Sequence, residues 1–257
     1  MKMKNIALRP IAFTALAAFA YGCQQEEHLP ASGSVKVNSQ AAVAIAENFD
    51  VIDFENSQGF SRDASGYITG VLSQNGTPVK ITAYARASNV AASQWGTDNR
   101  ANIFYTTNLP GTHPDADLKT PNWNKTTPSL GNVLIVQELT APHNVASDPN
   151  DNAHGGKVEL DFSAGGPVTV NSMQVLDIEQ HQELRSRVDF YDAANNKINT
   201  SDIMIAPTGN NGVGTVVFSE MKGVVKMVVT FDGSWNSATN DGAGAIDNIA
   251  FSKEPVL

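Results

Sequence analysis

The stretch Lys157-Val158-Glu159-Leu160-Asp161-Phe162 places a charged residue at every odd position and an apolar one at every even position. Successive side chains of a strand point to opposite faces, so a period of two predicts a strand with one face in water and the other in a core. A helix would instead need apolar residues three and four apart, and no convincing run of that kind occurs from Phe49 onward. Working outward, further β-type runs are Val51–Phe54, Val79–Ala85, Ala101–Tyr105, Asn132–Glu138, Val168–Asp177, Arg187–Asp192, Gly214–Phe218, Val224–Phe231 and Ala245–Phe251. Val224 to Phe231 is more continuously apolar than the others, which predicts a central strand covered on both faces.

The breaks between these runs carry turn chemistry. Gln74-Asn75-Gly76, Gly165-Gly166-Pro167, Ala194-Asn195-Asn196 and Gly209-Asn210-Asn211-Gly212 all contain residues that tolerate the positive φ of tight reversals. Short strands separated by such turns predict an all-β fold, a two-sheet antiparallel β-sandwich or jelly roll. The longest irregular stretch, Thr106 to Leu130, is rich in Asn, Pro, Thr and Asp. Loops of that length are usually functional or braced. No internal repeat or second composition regime is present, so residues 49–257 are expected to form one domain.

Composition narrows the function. The chain has 257 residues, with 41 % hydrophobic and only 17 % charged, both below the average globular chain. Its formal net charge of −9 leaves no basic stripe with which to displace counterions from phosphates, which argues against a nucleic-acid partner. The single cysteine excludes an intrachain disulfide and a Cys-based zinc site.

That cysteine stands at the end of an address. Lys2, Lys4 and Arg9 form a positive segment, and Ile11 to Ala20 is an apolar run too short to span a bilayer but suited to a signal peptide. The run ends at Ala20-Tyr21-Gly22-Cys23, which resembles a bacterial lipobox. The resemblance implies that residues 1–22 are removed, that Cys23 is lipidated, and that residues 23–48 tether the domain to a membrane. Gln24 to Glu27 are similar to the acidic tract that follows the cysteine in surface-exported lipoproteins of the Bacteroidetes type. An outer-membrane or cell-surface location is the expectation, with the membrane contacted only through the lipid.

Five segments carry a second resemblance: Ile52-Asp53-Phe54-Glu55-Asn56, Gly131-Asn132-Val133-Leu134-Ile135, Asp148 to Gly156, Val175-Leu176-Asp177-Ile178-Glu179, and Gly244-Ala245-Ile246-Asp247-Asn248-Ile249-Ala250-Phe251. They resemble bacterial extracellular β-sandwiches of the galactose-binding-like, carbohydrate-binding-module-like group. The chain departs from that group at Tyr105 and Asn210, where an Asp is usual. The resemblance implies a structural calcium ion shared by Glu55 near the first strand and Asp247 in the last, with turn carbonyls near Gly59 or Asp63 completing the oxygens that a hard cation takes.

A second acidic group is Asp148, Asp151 and Glu138, expected with Asp177 or Glu179 from neighbouring strands to form a looser calcium- or ligand-binding loop. Asn150, Asn152 and Glu159 fall at EF-hand ligand positions counted from Asp148, but Ala153 stands where that turn needs Gly, and no helix flanks the segment. No two histidines have zinc-protease spacing, and no nucleophile elbow, phosphate loop or dinucleotide fingerprint is present. Asp115, Asp117 and Trp123 in the long loop offer carboxylates and an indole face, the groups a sugar-binding surface uses. Trp95 and Trp235 read more simply as plugs at the ends of the sandwich.

The expectation is therefore a lipid-anchored, calcium-stabilised, non-catalytic β-sandwich that binds glycan or another surface polymer. A polysaccharide-degrading jelly roll and a structural or adhesive surface protein are the alternatives, because two carboxylates on different strands leave no local trace in a sequence.

Overall fold

A computed structural model describes residues 49–56, 59–87, 94–107, 116–122, 124, 126–179, 185–232 and 242–254. Cys23, the segments around it, Asp115, Trp123 and Trp235 lie outside the described residues. In chain order the strands are β1 (Asp50–Ile52), β2 (Ser61–Arg62), β3 (Ile68–Leu72), β4 (Pro78–Ala85), β5 (Ala101–Tyr105), β6 (Asn132–Val136) and β7 (Gly156–Asp161). They continue as β8 (Val168–Leu176), β9 (Arg187–Tyr191), β10 (Ile203–Met204), β11 (Val213–Val224), β12 (Lys226–Phe231) and β13 (Ala245–Lys253). A 3-10 turn, Ala116–Leu118, lies in the connection between β5 and β6.

All the pairings are antiparallel, and they make the expected two-sheet β-sandwich. One sheet has the order β11-β8-β13-β6-β5, with β1 also paired to β13; the other runs β10-β9-β12-β7-β4-β3-β2. The alternating strand that opened the sequence reading is β7, with Val158 and Leu160 fully buried and Lys157 and Glu159 paired on the outer face at 2.8 Å. β12, the apolar run, lies between β9 and β7, and Thr230 on its second face is as buried as its core-facing neighbours.

Three strands lack a counterpart in the sequence reading. β2 and β10 are two residues each, too short for any period, and Gly70 interrupts the apolar pattern of β3. β1 stops at Ile52 rather than Phe54, because Phe54 takes a positive φ of 53° and turns the chain. β11 runs past Phe218 to Val224 through two register shifts against β8.

Aromatic side chains fill the space between the sheets. Phe162 meets Phe251 with ring centroids 5.3 Å apart, and Phe190 meets Phe218 edge-on at 4.9 Å. Each such pair contributes about 0.5–1.5 kcal/mol beyond its buried area. A second apolar cluster (Phe104, Leu118, Leu130, Val133, Ile135, Leu176 and Ala245) lies apart from that core. Leu118 and Leu130 belong to the connection between β5 and β6, so part of the long loop is held down by apolar packing on strands of the six-stranded sheet. Thr106 fixes its base: the Thr106 N–H and hydroxyl both donate to the Gly131 carbonyl, at 2.8 and 2.9 Å, and Thr120 Oγ1 accepts the Leu130 N–H at 2.9 Å.

Truncating Leu118 tests that packing. Leu118→Ala is expected to destabilise the domain by about 2–5 kcal/mol, the range for a fully buried leucine. Urea denaturation midpoints of the two forms check it, and an unchanged midpoint would mean the loop rests on the sheet without holding it.

Candidate functional site

β13 gives one of its edges to two different strands. Ala245 and Ile246 pair with Ile135 and Leu134 of β6, whereas Ile249 to Phe251 pair with Ile52 to Asp50 of β1. Asp247 and Asn248 fall between the two partners. On the opposite edge the register against β8 shifts after Asp247, and Asn248 takes a positive φ of 47°. Such a bulge re-aims side chains and leaves polar groups without ladder partners.

The chain leaves β1 into the same gap. Phe54 reverses it, and Asn132 at the start of β6 ties it down: Asn132 Nδ2 donates to the Phe54 carbonyl at 3.1 Å, and the Asn132 N–H donates to Glu55 Oε1 at 2.7 Å. Gly131 makes room for this carboxylate. At its φ of +71°, a Cβ on Gly131 would fall 2.2 Å from Glu55 Oε1. The result is a cleft of about 570 Å³ lined by Asp53, Glu55, Tyr105, Thr107, Ser129, Leu130, Gly131, Asp247 and Asn248.

Two buried aspartates on paired strands show what is unusual here. Asp50, on β1, is 6 % exposed, and its carboxylate accepts the Ser73 and Thr77 hydroxyls, both at 2.6 Å, and the Asn75 and Val51 N–H groups at 3.0 Å. Burial raises its pKa, but these four bonds outweigh it and hold the carboxyl below its usual value. Asp247, on β13, is 1 % exposed; Oδ2 accepts Asn248 Nδ2 at 2.9 Å, and Oδ1 has no partner. Burial pushes the Asp247 carboxyl up to about 9, the backbone N–H of Asn248 opposes the shift, and the negative fields of Glu55 and Asp53 add to it. A native structure seldom leaves a buried acceptor unsatisfied, since each costs about 1–3 kcal/mol.

Every donor around the cleft is an oxygen or an amide, with no His or Cys, which suits a hard cation rather than zinc. The orphaned Oδ1 and the cradle at Gly131 both fit an ion. Among the described residues, however, no three acidic, His or Cys side chains stand close enough to hold a metal as they are placed. An ion would therefore draw Asp53 and Glu55 inward, away from Gln74 Nε2, which donates to Asp53 Oδ2 at 2.8 Å, and from the Asn132 N–H.

The remaining candidates are placed as follows. Asp63 caps its own turn by accepting the Ser65 and Tyr67 N–H groups, and neither it nor Gly59 lines the cleft. Asp148 pairs with His143 at 2.7 Å, and Glu138 Oε1 accepts the Leu139 and Thr140 N–H groups and the Thr140 hydroxyl. Asp151 Oδ2 accepts the Gly244 N–H at 2.9 Å. These three thus brace the segment between β6 and β7. Asp177 lies near Asp151, Asp117 and Glu179; its Oδ1 accepts the Asn211 N–H at 2.8 Å, while Asn211 Nδ2 reaches the carbonyls of Ala116, Asp117 and Lys119. The Gly209–Gly212 turn therefore clasps the long loop, with Asp117 half-buried under it.

At the end of β4, Arg86 is 1 % exposed, pairs with Asp232 at 2.8 Å, and carries Trp95 stacked at 5.6 Å. Trp95 thus covers a buried ion pair. Asp53 and Tyr105 are cleft residues that the sequence reading did not single out as ligands. The Asp53-x-Glu55 spacing was the available signal for the first, and nothing local marks the second.

No family model matches the chain, and no curated protein matches it. Solved structures similar to it include CpGH89CBM32-5 from Clostridium perfringens in complex with GalNAc-β-1,3-galactose, at 12 % identity, 68 % of this chain, 95 % of that chain and a TM-score of 0.30. A Streptococcus pneumoniae fucose binding module is similar at 11 %, 60 %, 90 % and 0.28, and a mutant lectin binding domain of lectinolysin complexed with Lewis b at 8 %, 66 %, 99 % and 0.29.

Asp177 supplies a pH prediction. Burial first, and then the fields of Asp117, Asp151 and Glu179, raise its carboxyl to about 9 against the bond from Asn211. A carboxyl whose pKa is raised by folding contributes stability that is complete below its unfolded value and is lost as pH rises through the folded one. Asp177→Asn keeps an oxygen for the Asn211 N–H and suits the φ of 63°. It is expected to raise the melting temperature at pH 9 and to have little effect at pH 4; equal shifts at both would contradict the assignment.

Proposed function

We propose that the chain is a non-catalytic, lipid-anchored β-sandwich, braced by calcium at the cleft between β1, β6 and β13, that binds glycan at the cell surface. The observation that carries this reading is the orphaned Asp247 Oδ1, buried beside Glu55 and Asp53 where the first and last strands meet. Asp247, Glu55 and Asp53 would hold the ion, with Asn248, Thr107 and Ser129 as further oxygen donors around it. Calcium takes oxygens at about 2.3–2.6 Å, closer than water packs against an acceptor, so it suits an oxygen sunk in a cleft wall.

The same geometry argues against the enzyme alternative. A raised carboxyl beside other carboxyl groups is the pattern of acid catalysis in glycoside hydrolysis. A general acid must come within hydrogen-bond reach of the glycosidic oxygen. At 1 % exposure, with Oδ1 withdrawn from solvent, Asp247 offers no such approach to an oxygen carried between two sugar rings. The polar cleft and the acidic surface support a polyhydroxyl partner, and the address ending at Cys23 supports display on the outer membrane.

Chelation is expected to lower the melting temperature of the protein and calcium to restore it, because a ligand bound only by the folded state stabilises it by about 2.7 kcal/mol at a hundredfold excess over Kd. Asp247→Asn should remove the calcium response. A transition unmoved by chelator in the wild type would defeat the ion reading. Incubation with diverse polysaccharides should give retention without new reducing ends; their release would establish the enzyme instead. For the anchor, a fatty-acid analogue should label the wild type and not Cys23→Ser, and an unlabelled wild type would remove the lipoprotein reading.

A further inference from the structure

The outer face of the seven-stranded sheet carries a charge unlike that of the chain as a whole. The neighbouring strands β9, β12, β7 and β4 hold their outward side chains in register. One row crosses them as Arg187, Thr230, Lys157 and Tyr84, and a second as Tyr191, Lys226, Asp161 and Lys80. Strands lie about 4.7–4.9 Å apart, so Arg187 and Lys157 stand roughly 10 Å from one another across β12. Strand pairing thus gathers cations that the sequence spreads between positions 80 and 226, on a chain of net charge −9.

Carboxylates share this face, but two of them lie beneath the cations. Asp189 is 7 % exposed and Asp232 5 %. Asp189 takes the Lys197 ammonium at 2.6 Å, and Asp232 is paired with buried Arg86. Arg187 leans towards both at 3.6 and 3.9 Å and donates to the Arg185 carbonyl at 3.4 Å. A guanidinium bonded to an anion closes to about 2.7–2.9 Å. The Arg187 fork is therefore held in place by buried acids at long range, with no contact of normal ionic length among the described residues, and its side chain is 29 % exposed. Around it, Lys226 lies over the Tyr191 ring at 4.6 Å and Lys157 over Tyr84 at 4.7 Å, where Glu159 also meets it. These stems are packed before any ligand arrives, which reduces the side-chain ordering that binding requires.

We infer that this face is where the chain binds its glycan, and that the glycan is acidic, with a carboxylate or sulfate group on the Arg187 fork and further ones at Lys157, Lys197 and Lys226. The inference names the glycan class for the reading above and rests on it, but it involves no metal ion.

The planar fork of Arg187 matches two oxygens of such a group, which a single ammonium does not. Elsewhere the chain is acidic, with Asp53, Glu55 and Asp247 at the cleft and Asp117, Asp151 and Asp177 near the Gly209–Gly212 turn. A polyanion is repelled from those regions and meets opposite charge on this face, so charge orients the contact as well as strengthening it.

The test uses the full chain in mild detergent, run through native gels containing polygalacturonate, chondroitin sulfate, neutral galactan or DNA, at low and at high salt. Retardation is expected on at least one of the two acidic glycans, and screening should abolish it at high salt. Arg187→Gln should weaken it about tenfold, the equivalent of losing one charge-assisted contact. Lys253→Gln, which removes the same charge from β13 of the other sheet, should leave it unchanged. Should Arg187→Gln melt below the wild type, Lys226→Gln makes the same comparison with the buried acids left paired. Retention that both face variants leave undiminished, an equal loss in Lys253→Gln, or DNA retarding as strongly as the acidic glycans would each overturn the inference. Retardation by galactan alone would overturn it too and leave the glycan reading standing, whereas no retardation on any polymer would remove that reading itself.

Discussion

The structure depends on one sharing arrangement: a single edge of β13 pairs first with β6 and then with β1. A strand edge offers its backbone groups at a fixed spacing, so two strands can share it only if a gap separates them. Here the gap falls at Asp247 and Asn248, and the bulge on the opposite edge matches it. That gap admits the turn at Phe54, sets Glu55 against Gly131, and leaves Asp247 Oδ1 without a donor. The cleft is the consequence of how the ends of the domain join.

The other buried charges show the usual solution. Asp50 is surrounded by four donors, Arg86 is matched by Asp232, and Glu138 closes on the backbone that follows it. Each is neutralised or hydrogen-bonded where it lies, and so holds structure. Asp177 is intermediate: it gains one bond and stays in a strained left-handed backbone conformation, close to three other carboxylates. The contrast between Asp50 and Asp247 separates the candidate site from scaffolding more sharply than the count of acidic residues does.

The long connection between β5 and β6 has two physical roles. Leu118 and Leu130 bury apolar area in the cluster around Phe104, and Thr106, Thr120 and Gly131 lock its two ends together. The same connection carries Thr107 and Ser129, which line the cleft. The clasp of Asn211 on the carbonyls of 116, 117 and 119 extends the same restraint to the far side of the loop.

The sequence by itself determined the strand type and most strand positions, because alternation in β7, continuous apolarity in β12 and Asn-Gly chemistry at turns are local constraints that a strand or turn satisfies within a few residues. It also carried Glu55 and Asp247 as a pair, through their resemblance to the ends of a known type of sandwich. Only the tertiary structure decided that Asp53 and Tyr105 line the cleft with them, that Asp63 does not, and that Asp148 meets His143 and Glu138 meets Thr140. Those outcomes turn on register: a shared edge, a bulge at Asn248 and the pairing of Tyr105 with Asn132 bring together residues from both ends of the domain and its middle. No local pattern encodes register between distant strands. It is set when the sheets pair and the core closes around them.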